Sequence, residues 1–286
     1  MTIKNTLLDF FYFIKRPDDN HLNLNYKQKI KVFIVLFLLE IIFTFSIFFP
    51  LLELIDNYEK IKNPKIDYSE TFLFTFFFMV LLVPLVEEFF FRYILRYKKF
   101  KLKLINRMIW NKIFPYLVYF LVICFGIIHI SNYENNSTLF LLLSPLIIIS
   151  QLIGGFVITF IRVKISFIWG CIYHFIWNFI FIIFVPIIES QFLNPYEDIT
   201  PKYTVKIIEK PFFNKDENQI LKIDSLNSKI KKIEIRQYSL QHLLDTLYNK
   251  DKYYVDDVLI NLDFNSVNYT TKEEFLRILM KNYNIK

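Results

Sequence analysis

The sequence predicts an all-α multi-pass membrane bundle of about five transmembrane helices, followed by a small C-terminal α+β domain. The first supporting observation is composition: 54% of the 286 residues are hydrophobic, 19% are aromatic, and the mean hydropathy is +0.34. Such values are too high for an ordinary soluble domain. The second is that apolar segments fill residues 31–189 and then stop. The chain therefore divides into an N-terminal interfacial segment (1–30), a membrane bundle (31–189) and a soluble domain (190–286).

Residues 5–14 of the N-terminal segment are apolar and aromatic, but they are too few to cross a bilayer, which needs about 20 residues. Their composition predicts a helix that lies at the membrane interface. Charged residues are scattered through the same segment, so we expect no cleavable signal peptide.

Five apolar stretches are long enough to span the bilayer. They cover about residues 32–54, 70–98, 113–130, 139–161 and 165–188. Glu40 lies inside the first stretch. Because a carboxyl group in lipid is costly, we expect Glu40 to face the bundle interior or to pair with a neighbouring helix.

The distribution of Lys and Arg predicts the orientation of these spans. Six such residues precede the first span and eight join the second to the third, whereas three lie in the first loop, none in 131–138 and two between the fourth and fifth spans. The positive-inside rule places the N-terminus in the cytoplasm, and five spans then place the C-terminal domain outside. We expect the inner (plasma) membrane of a bacterial-type cell. These flanks also account for the net charge of +7, so we expect the lipid bilayer, and no nucleic acid, as a partner.

Residues 84–92, Pro-Leu-Val-Glu-Glu-Phe-Phe-Phe-Arg, place two carboxylates inside the second span. A carboxylate at the centre of a membrane helix costs about 2.5–3.5 kcal/mol on insertion scales, so Glu87 and Glu88 predict a functional site. Glu88 and Arg92 are four residues apart, on one helix face, and can neutralise each other. Pro84 removes a helical hydrogen bond and frees a carbonyl group beside the site.

His129, His174 and Asn178 are polar residues inside later spans. Counted from the last cytoplasmic lysine of each span at about 1.5 Å per residue, Glu87 lies roughly 18 Å deep, His129 roughly 25 Å and His174 roughly 15 Å. Helix tilt covers this spread, so the three side chains can meet in one layer of the membrane. His174 and Asn178 share a helix face at a spacing of four residues.

This set of residues suggests hydrolysis. A glutamate held between imidazoles can take a proton from water and deliver it to a leaving amine. Glu87, His129 and His174 could equally bind a divalent metal such as zinc, with one position left open for water. The alternatives are that each histidine only packs helices together and that Glu88 and Arg92 form a structural pair. Four polar residues that are costly to place in a membrane occur at matched depth, which is hard to explain as four independent accidents.

The ordered motifs resemble a known family. Glu87-Glu88-x-x-x-Arg92, Phe125-x-x-x-His129 and His174-x-x-x-Asn178 are similar to the motifs of the CPBP intramembrane proteases, which include CAAX prenyl endopeptidases and Abi-type bacteriocin-processing or immunity proteins. The resemblance covers roughly residues 70–185, including the glycine-containing stretch from Gln151. The sequence departs from the family pattern at Tyr93, where a glycine commonly follows the arginine.

The resemblance implies a membrane-embedded endopeptidase that depends on glutamate or on metal. By motif position, Glu87 activates water, and His129 and His174 position that water or bind the metal. Asn178 helps to hold the tetrahedral oxyanion. Glu88 and Arg92 form the supporting pair. The expected substrates are membrane-associated proteins or peptides, of the CAAX type or the leader-peptide type.

The C-terminal region changes from apolar runs to alternation. Residues 204–208, 230–236 and 258–264 read as strands, and Ser239 as the N-cap of a helix to Tyr248. Thr270 and Glu273 have the spacing of a capping box ahead of a second helix. The predicted helix at residues 240–247, followed by a strand and a second short helix, resembles the secretin and TonB short N-terminal domain, which implies an extracytoplasmic protein partner.

Two other classes of function remain open at this point. The first is a catalytically inactive scaffold or receptor of the same family, with the C-terminal domain doing the recognising. The second is a proton-coupled transporter that uses Glu87, His129 and His174 as a relay. Five spans without an internal repeat make the transporter the weaker alternative.

Overall fold

The computed structural model describes residues 2–97, 105–192 and 195–286. Within these ranges, five helices are long and apolar enough to cross a membrane: Tyr26–Tyr58, Phe72–Arg92, Arg107–Asn132, Thr138–Lys164 and Phe167–Ser190. An antiparallel sheet with short helices follows them. The predicted fold class is therefore confirmed. The Lys98 end of the second predicted span lies outside the described residues.

The described part of the chain contains the following elements. The helices are α1 (Ile3–Lys15), α2 (Tyr26–Phe43), α3 (Phe49–Tyr58), α4 (Phe72–Phe74), α5 (Val83–Arg92), α6 (Arg107–Ile128), α7 (Thr138–Ile147), α8 (Ile149–Lys164), α9 (Phe167–Asn178), α10 (Val185–Phe192), α11 (Leu240–Leu247) and α12 (Lys272–Leu279). The strands are β1 (Tyr196–Ile199), β2 (Tyr203–Lys210), β3 (Ile220–Leu226), β4 (Lys229–Ser239) and β5 (Leu259–Thr271).

The chain divides into two compact units. The helical unit comprises Met1–Lys62 and Val80–Asn178, and the sheet unit comprises Asn63–Met79 and Phe179–Lys286. The residues singled out inside the membrane spans, from Glu40 to Asn178, all belong to the helical unit.

Stretches of π-helix interrupt some of the long helices. They cover Thr44–Phe48, Thr75–Leu82 and Phe179–Phe184, and the α-helix that follows each has proline as its second residue, namely Pro50, Pro84 and Pro186. Proline has no N–H, and its ring clashes with the carbonyl group four residues earlier. The wider π turn removes this clash, so these helices continue across the proline.

The N-terminal helix α1 packs into the helical unit. Phe10 and Phe13 are buried and meet Phe160 of α8 edge-on, at ring-centroid distances of 5.6 and 5.4 Å. Just after α1, Asp18 forms an ion pair of 2.7 Å with Lys164, the last residue of α8. The aromatic run that predicts an interfacial helix thus supplies two core residues.

The sheet unit is built on five antiparallel strands in the order β1-β2-β5-β4-β3. On one face, Ile207, Leu262 and Ile235 are opposite one another on neighbouring strands and are buried. The core beneath them is completed by residues of α11 and α12, including Leu243 and Phe275. On the other face, a row of charged residues crosses all five strands: Glu197, Lys206, Asp263, Glu234 and Lys222.

The C-terminal elements agree with the predicted ones except in three details. Strands β1 and β3 lie outside the three segments that the sequence predicts as strands. The predicted capping box at Thr270 and Glu273 is wrong: the N-cap of α12 is Thr271, and its box partner is Glu274. The reason is that β5 continues to Thr271, so the helix begins one residue later than the pattern suggests.

The end of the first loop belongs to the sheet unit through several hydrogen bonds. Lys65 Nζ lies 2.9 Å from Asp245 Oδ2, and this hydrogen bond raises the pKa of Lys65. The Ile66 N–H donates to Asp257 at 3.1 Å. The segment that leads into the second span is therefore held against the C-terminal domain.

Candidate active site

Glu88 of α5 lies in a buried hydrogen-bonded group. Its Oε1 accepts a hydrogen bond of 2.7 Å from Arg92 Nη1 and lies 3.0 Å from His174 Nδ1 of α9. The side chains of Glu88 and Arg92 are 0% and 1% exposed. Since an ionised carboxylate can only accept hydrogen bonds, Nδ1 is the nitrogen of His174 that carries a proton toward Glu88. The helix spacing predicts the Glu88–Arg92 pair, and the structure adds the imidazole to it.

Glu87 meets the other nitrogen of the same imidazole. Its Oε2 lies 3.5 Å from His174 Nε2, and its side chain is 19% exposed. His174 therefore stands between two adjacent glutamates, with Nδ1 held by the fully buried one and Nε2 facing the more accessible one. A side chain oriented by a third group in this way is a recurring feature of catalytic sites.

His129 is the residue that ends α6, and its Nδ1 lies 2.7 Å from the Phe125 carbonyl oxygen. The Phe125 ring lies 4.6 Å from the His129 ring and 6.0 Å from the His174 ring, between centroids. The Arg92 guanidinium carbon is 3.9 Å from the same Phe125 centroid. Phe125 thus packs against both imidazoles and stabilises the arginine by a cation–π contact. Because its Nδ1 is engaged, His129 has Nε2 left for the site.

A cavity of about 130 Å³ in the helical unit adjoins the two imidazoles, whereas Glu87 and the Glu88–Arg92 pair are not among its lining residues. His129, His174 and Asn178 all line it, as the sequence predicts for residues of one site. The other lining residues are Glu40, Phe125, Ser150, Gln151, Gly154, Ile158 and Trp177. Of these, Ser150 is a site residue that sequence reasoning did not single out, and Gln151 entered it only as part of a glycine-containing stretch.

Arg162 of α8 holds the end of the helix that carries the glutamates. It is 2% exposed, and it donates hydrogen bonds of 3.1 Å from Nε to the Arg92 carbonyl and from Nη2 to the Tyr93 carbonyl. Its guanidinium carbon also lies 5.3 Å from the Phe167 ring centroid. Sequence analysis counts Arg162 only as a flanking cation. No local pattern could have distinguished it, since a flanking arginine is expected at that position.

Tyr93 fits the site region in spite of its size. Its ring stacks on Phe89 at a centroid distance of 5.1 Å and meets Phe167 edge-on at 5.7 Å. The side chain therefore packs among other aromatic rings. The departure from the glycine pattern at this position is accommodated without crowding the glutamates.

A metal site needs several donor side chains directed at one point. Among the described residues, no group of three or more His, Cys, Asp or Glu side chains is arranged so that it could hold one. His174 Nδ1 is engaged with Glu88, and His129 Nδ1 with a backbone carbonyl. These are also the partners that orient an imidazole which binds metal through Nε2, so they do not exclude such ligands. The metal interpretation of Glu87, His129 and His174 stays a prediction.

Comparison with known proteins gives one match. The family described as type II CAAX prenyl endopeptidase Rce1-like matches residues 69–180. No curated protein and no solved structure matches the chain. The matched range contains all of the motif residues from Glu87 to Asn178 and supports a CAAX-type membrane protease in general. Through residues 69–180 the chain therefore matches the Rce1-like family of type II CAAX prenyl endopeptidases, which confirms the resemblance inferred from its motifs.

Proposed function

We propose that this chain is an intramembrane endopeptidase that hydrolyses a peptide bond of a membrane-associated substrate with Glu87 as the general base. The observation that carries the proposal is the contact of His174 with both glutamates, beside a cavity lined by His129, His174 and Asn178. One glutamate is buried and charge-paired, and the other is accessible. In this interpretation the buried Glu88 orients the imidazole, and the accessible Glu87 is the reacting group.

In this mechanism, Glu87 takes a proton from a water molecule while the water oxygen attacks the substrate carbonyl carbon. With the imidazole proton on Nδ1, His174 Nε2 is an acceptor, so the attacking water can donate one hydrogen to Nε2 and the other to Glu87 Oε2, which lie 3.5 Å apart. Glu87 then delivers the proton to the amine nitrogen as the C–N bond breaks. His174 holds the water and the carboxylate in register, because Glu88 fixes its ring.

The carbonyl oxygen becomes negatively charged during the attack. Asn178 lies one helical turn after His174 on α9, lines the same cavity, and has an amide group that can donate to this oxyanion. His129 can donate from Nε2 as the imidazolium, because in the neutral ring the proton is on Nδ1, which donates to the Phe125 carbonyl. Each such donor typically contributes about 10²- to 10³-fold in rate.

The substrate class follows from the family match. Prenylated proteins that end in Cys-aliphatic-aliphatic-X are the substrates we favour, and leader peptides are the alternative. The charge distribution supports a cytoplasmic N-terminus and an extracytoplasmic sheet unit, and the inner membrane of a bacterial-type cell stays a prediction. On that side of the membrane, the sheet unit would bind a protein partner or the substrate.

The experiment is cleavage of defined peptides by the full chain in proteoliposomes. A farnesylated peptide ending in Cys-Val-Leu-Met, its unprenylated form and a hydrophobic leader-type peptide are followed by mass spectrometry. We expect Glu87→Gln to reduce cleavage by about 10²- to 10⁴-fold, and Asn178→Ala by about 10²- to 10³-fold, because they remove the base and an oxyanion donor. Glu53→Gln is the matched control, since Glu53 is an exposed carboxylate in the first span.

Undiminished cleavage by Glu87→Gln would contradict the proposal. A folded wild-type protein that cleaves none of the three peptides would instead favour the scaffold interpretation. Proton flux that depends on a transported solute and is lost in Glu87→Gln would favour the transporter.

A further inference from the structure

Glu40 of α2 is a buried carboxyl group that the mechanism above leaves unused. It is 3% exposed, and the phenol of Tyr173 donates a hydrogen bond to its Oε2 at 2.6 Å. Tyr173 is 0% exposed and directly precedes His174 on α9. The pair therefore links the first span to the helix that carries the site imidazole.

The other oxygen of Glu40 lies against α8. A Cβ atom built on Gly154 would stand 2.6 Å from Glu40 Oε1, so any side chain at position 154 would displace the carboxyl group. Among the described residues, Tyr173 is the hydrogen-bond partner of Glu40. Oε1 consequently keeps its capacity to accept a hydrogen bond.

Glu40 and the two imidazoles line the same cavity of about 130 Å³. At about 30 Å³ per water molecule, this space holds about four waters or a short piece of a peptide chain. A chain segment whose carbonyl group approaches His129 and His174 therefore lies within reach of Glu40 as well.

The two buried glutamates of the helical unit differ in how they are balanced. Glu88 has the Arg92 guanidinium at 2.7 Å, whereas the partner of Glu40 is a neutral phenol. A buried carboxyl group without a cationic partner gains from any further donor that enters its cavity. The chemistry that fits an open carboxylate oxygen is an N–H group.

We propose that Glu40 is a substrate-binding residue that accepts a hydrogen bond from a backbone N–H of the peptide, close to the bond that is cleaved. The proposal rests on the proposed function. One such contact fixes the register of an extended peptide, because a backbone N–H recurs only once per residue. Glu40 thereby determines which bond reaches Glu87.

Enzyme variants provide the first half of the test. Glu40→Gln can keep the Tyr173 hydrogen bond with its carbonyl oxygen while it turns the cavity-side atom from an acceptor into a donor. We expect its KM to rise about tenfold or more, with kcat and the unfolding temperature near those of the wild type. Gly154→Ala should act in the same direction by displacing the carboxyl group, and Glu53→Gln should leave KM unchanged.

Peptide variants provide the second half. Each backbone N–H near the cleaved bond, except the one in that bond, is replaced in turn by an ester oxygen in whichever peptide the wild type cleaves. We expect the wild type to lose about tenfold in kcat/KM at one position, and Glu40→Gln to show no further loss at that position. A purely structural Glu40–Tyr173 pair would not produce this dependence on peptide position.

The outcomes separate the two proposals. If the wild type cleaves a peptide and the KM of Glu40→Gln is unchanged, the role of Glu40 is overturned and the protease proposal stands. The same conclusion follows if the ester substitutions reduce kcat/KM equally in both proteins. A Glu40→Gln variant that loses thermal stability and kcat at an unchanged KM also overturns the role of Glu40. A folded wild type that cleaves no peptide overturns the protease and, with it, this inference.

Discussion

At the scale of single residues, the Glu88–Arg92 pair shows how a membrane helix can contain a carboxylate. Both side chains are almost completely buried, and Arg92 Nη1 donates to Glu88 Oε1 at 2.7 Å. Removing one member of a buried ion pair leaves an uncompensated charge, which costs far more than the pair itself contributes. The pair is therefore a sensitive point for stability as well as for the orientation of His174.

We expect Arg92→Met to lower the free energy of unfolding by about 3–5 kcal/mol, because the Glu88 carboxylate then lacks its cation. The double variant Glu88→Gln, Arg92→Met should recover part of this loss. The free energy of unfolding of both variants is measured in mixed micelles. Lys60→Met is the matched control: Lys60 and Asp56 have the same spacing at 3.1 Å but are 18% and 23% exposed, so the loss should be about 0–1 kcal/mol. A double variant as unstable as the sum of its single variants would contradict this account.

The residue-scale predictions from sequence succeed where the partners share one helix. The spacing of Glu88 and Arg92 is sufficient to predict their contact, since residues four apart share a helix face. Which glutamate meets which nitrogen of His174 depends on helix rotation and crossing, and no local pattern contains that information. The Glu40–Tyr173 hydrogen bond could not be predicted for the same reason, because it joins residues of two different helices. The catalytic roles of Glu87, His129, His174 and Asn178 stay predictions.

At the scale of elements, α5 is held at its C-terminal end by a side chain of another helix. The last carbonyl groups of a helix have no partner within it, and Arg162 of α8 supplies two hydrogen bonds there. The position of the glutamates relative to α9 therefore depends on a residue that does not touch the cavity.

We expect Arg162→Met to lower the free energy of unfolding by about 1–3 kcal/mol, because it removes two hydrogen bonds at the end of α5 and leaves the Arg92 carbonyl with the Leu95 N–H alone. It should also reduce kcat more than it raises KM, since it shifts Glu87 without altering the cavity lining. Arg162→Lys should recover part of kcat by restoring one donor. Arg16→Met, an exposed cation in the N-terminal segment, is the control. An unchanged kcat in Arg162→Met would show that α5 is positioned by packing alone.

The elements themselves were predictable wherever hydrophobic pattern and length determine them. Pro84 is visible in the sequence as a helix disturbance, but the π turns that accommodate it and its counterparts are a tertiary adjustment of the helix. In the sheet unit, Thr270 and Thr271 both offer a capping-box spacing, and only the length of β5 decides between them. Strand β1 is short and lies at an edge of the sheet, where the alternation is too brief to read.

At the scale of the whole chain, contacts within the helical unit agree with the alternation of five spans. At the predicted cytoplasmic ends, Asp19 pairs with Arg107 at 2.5 Å. At the predicted opposite ends, the Glu134 N–H donates to the Lys62 carbonyl at 2.8 Å, and Ser137 donates to Glu59 at 2.6 Å. The loops that an odd number of spans places on one side thus contact each other, which agrees with the number of spans, whereas the side that faces the cytoplasm is predicted from the charges alone.

The orientation can be measured with single cysteines placed in a variant that lacks Cys124 and Cys171. The introduced positions are exposed ones: Asn20, Ser69, Asn136 and Lys215. A maleimide that cannot cross the inner membrane is added to bacterial cells whose outer membrane has been permeabilised and whose inner membrane is intact. We expect labelling at positions 69, 136 and 215, and labelling at position 20 only after lysis, because Lys and Arg retain the N-terminal flank in the cytoplasm.

Two results would contradict this expectation, and they differ in meaning. The inverse pattern, with only position 20 labelled, would overturn the charge-based orientation but keep five spans. Labelling that differs between positions 69 and 215 would overturn the span number, since an odd count places the first loop and the C-terminal domain on the same side. The hydrogen bond of Lys65 to Asp245 makes the second result testable in another way. The two thiols of a Lys65→Cys, Asp245→Cys pair should be joined by a short bis-maleimide, whose reach covers the length of the two lost side chains and is far too small to cross a bilayer.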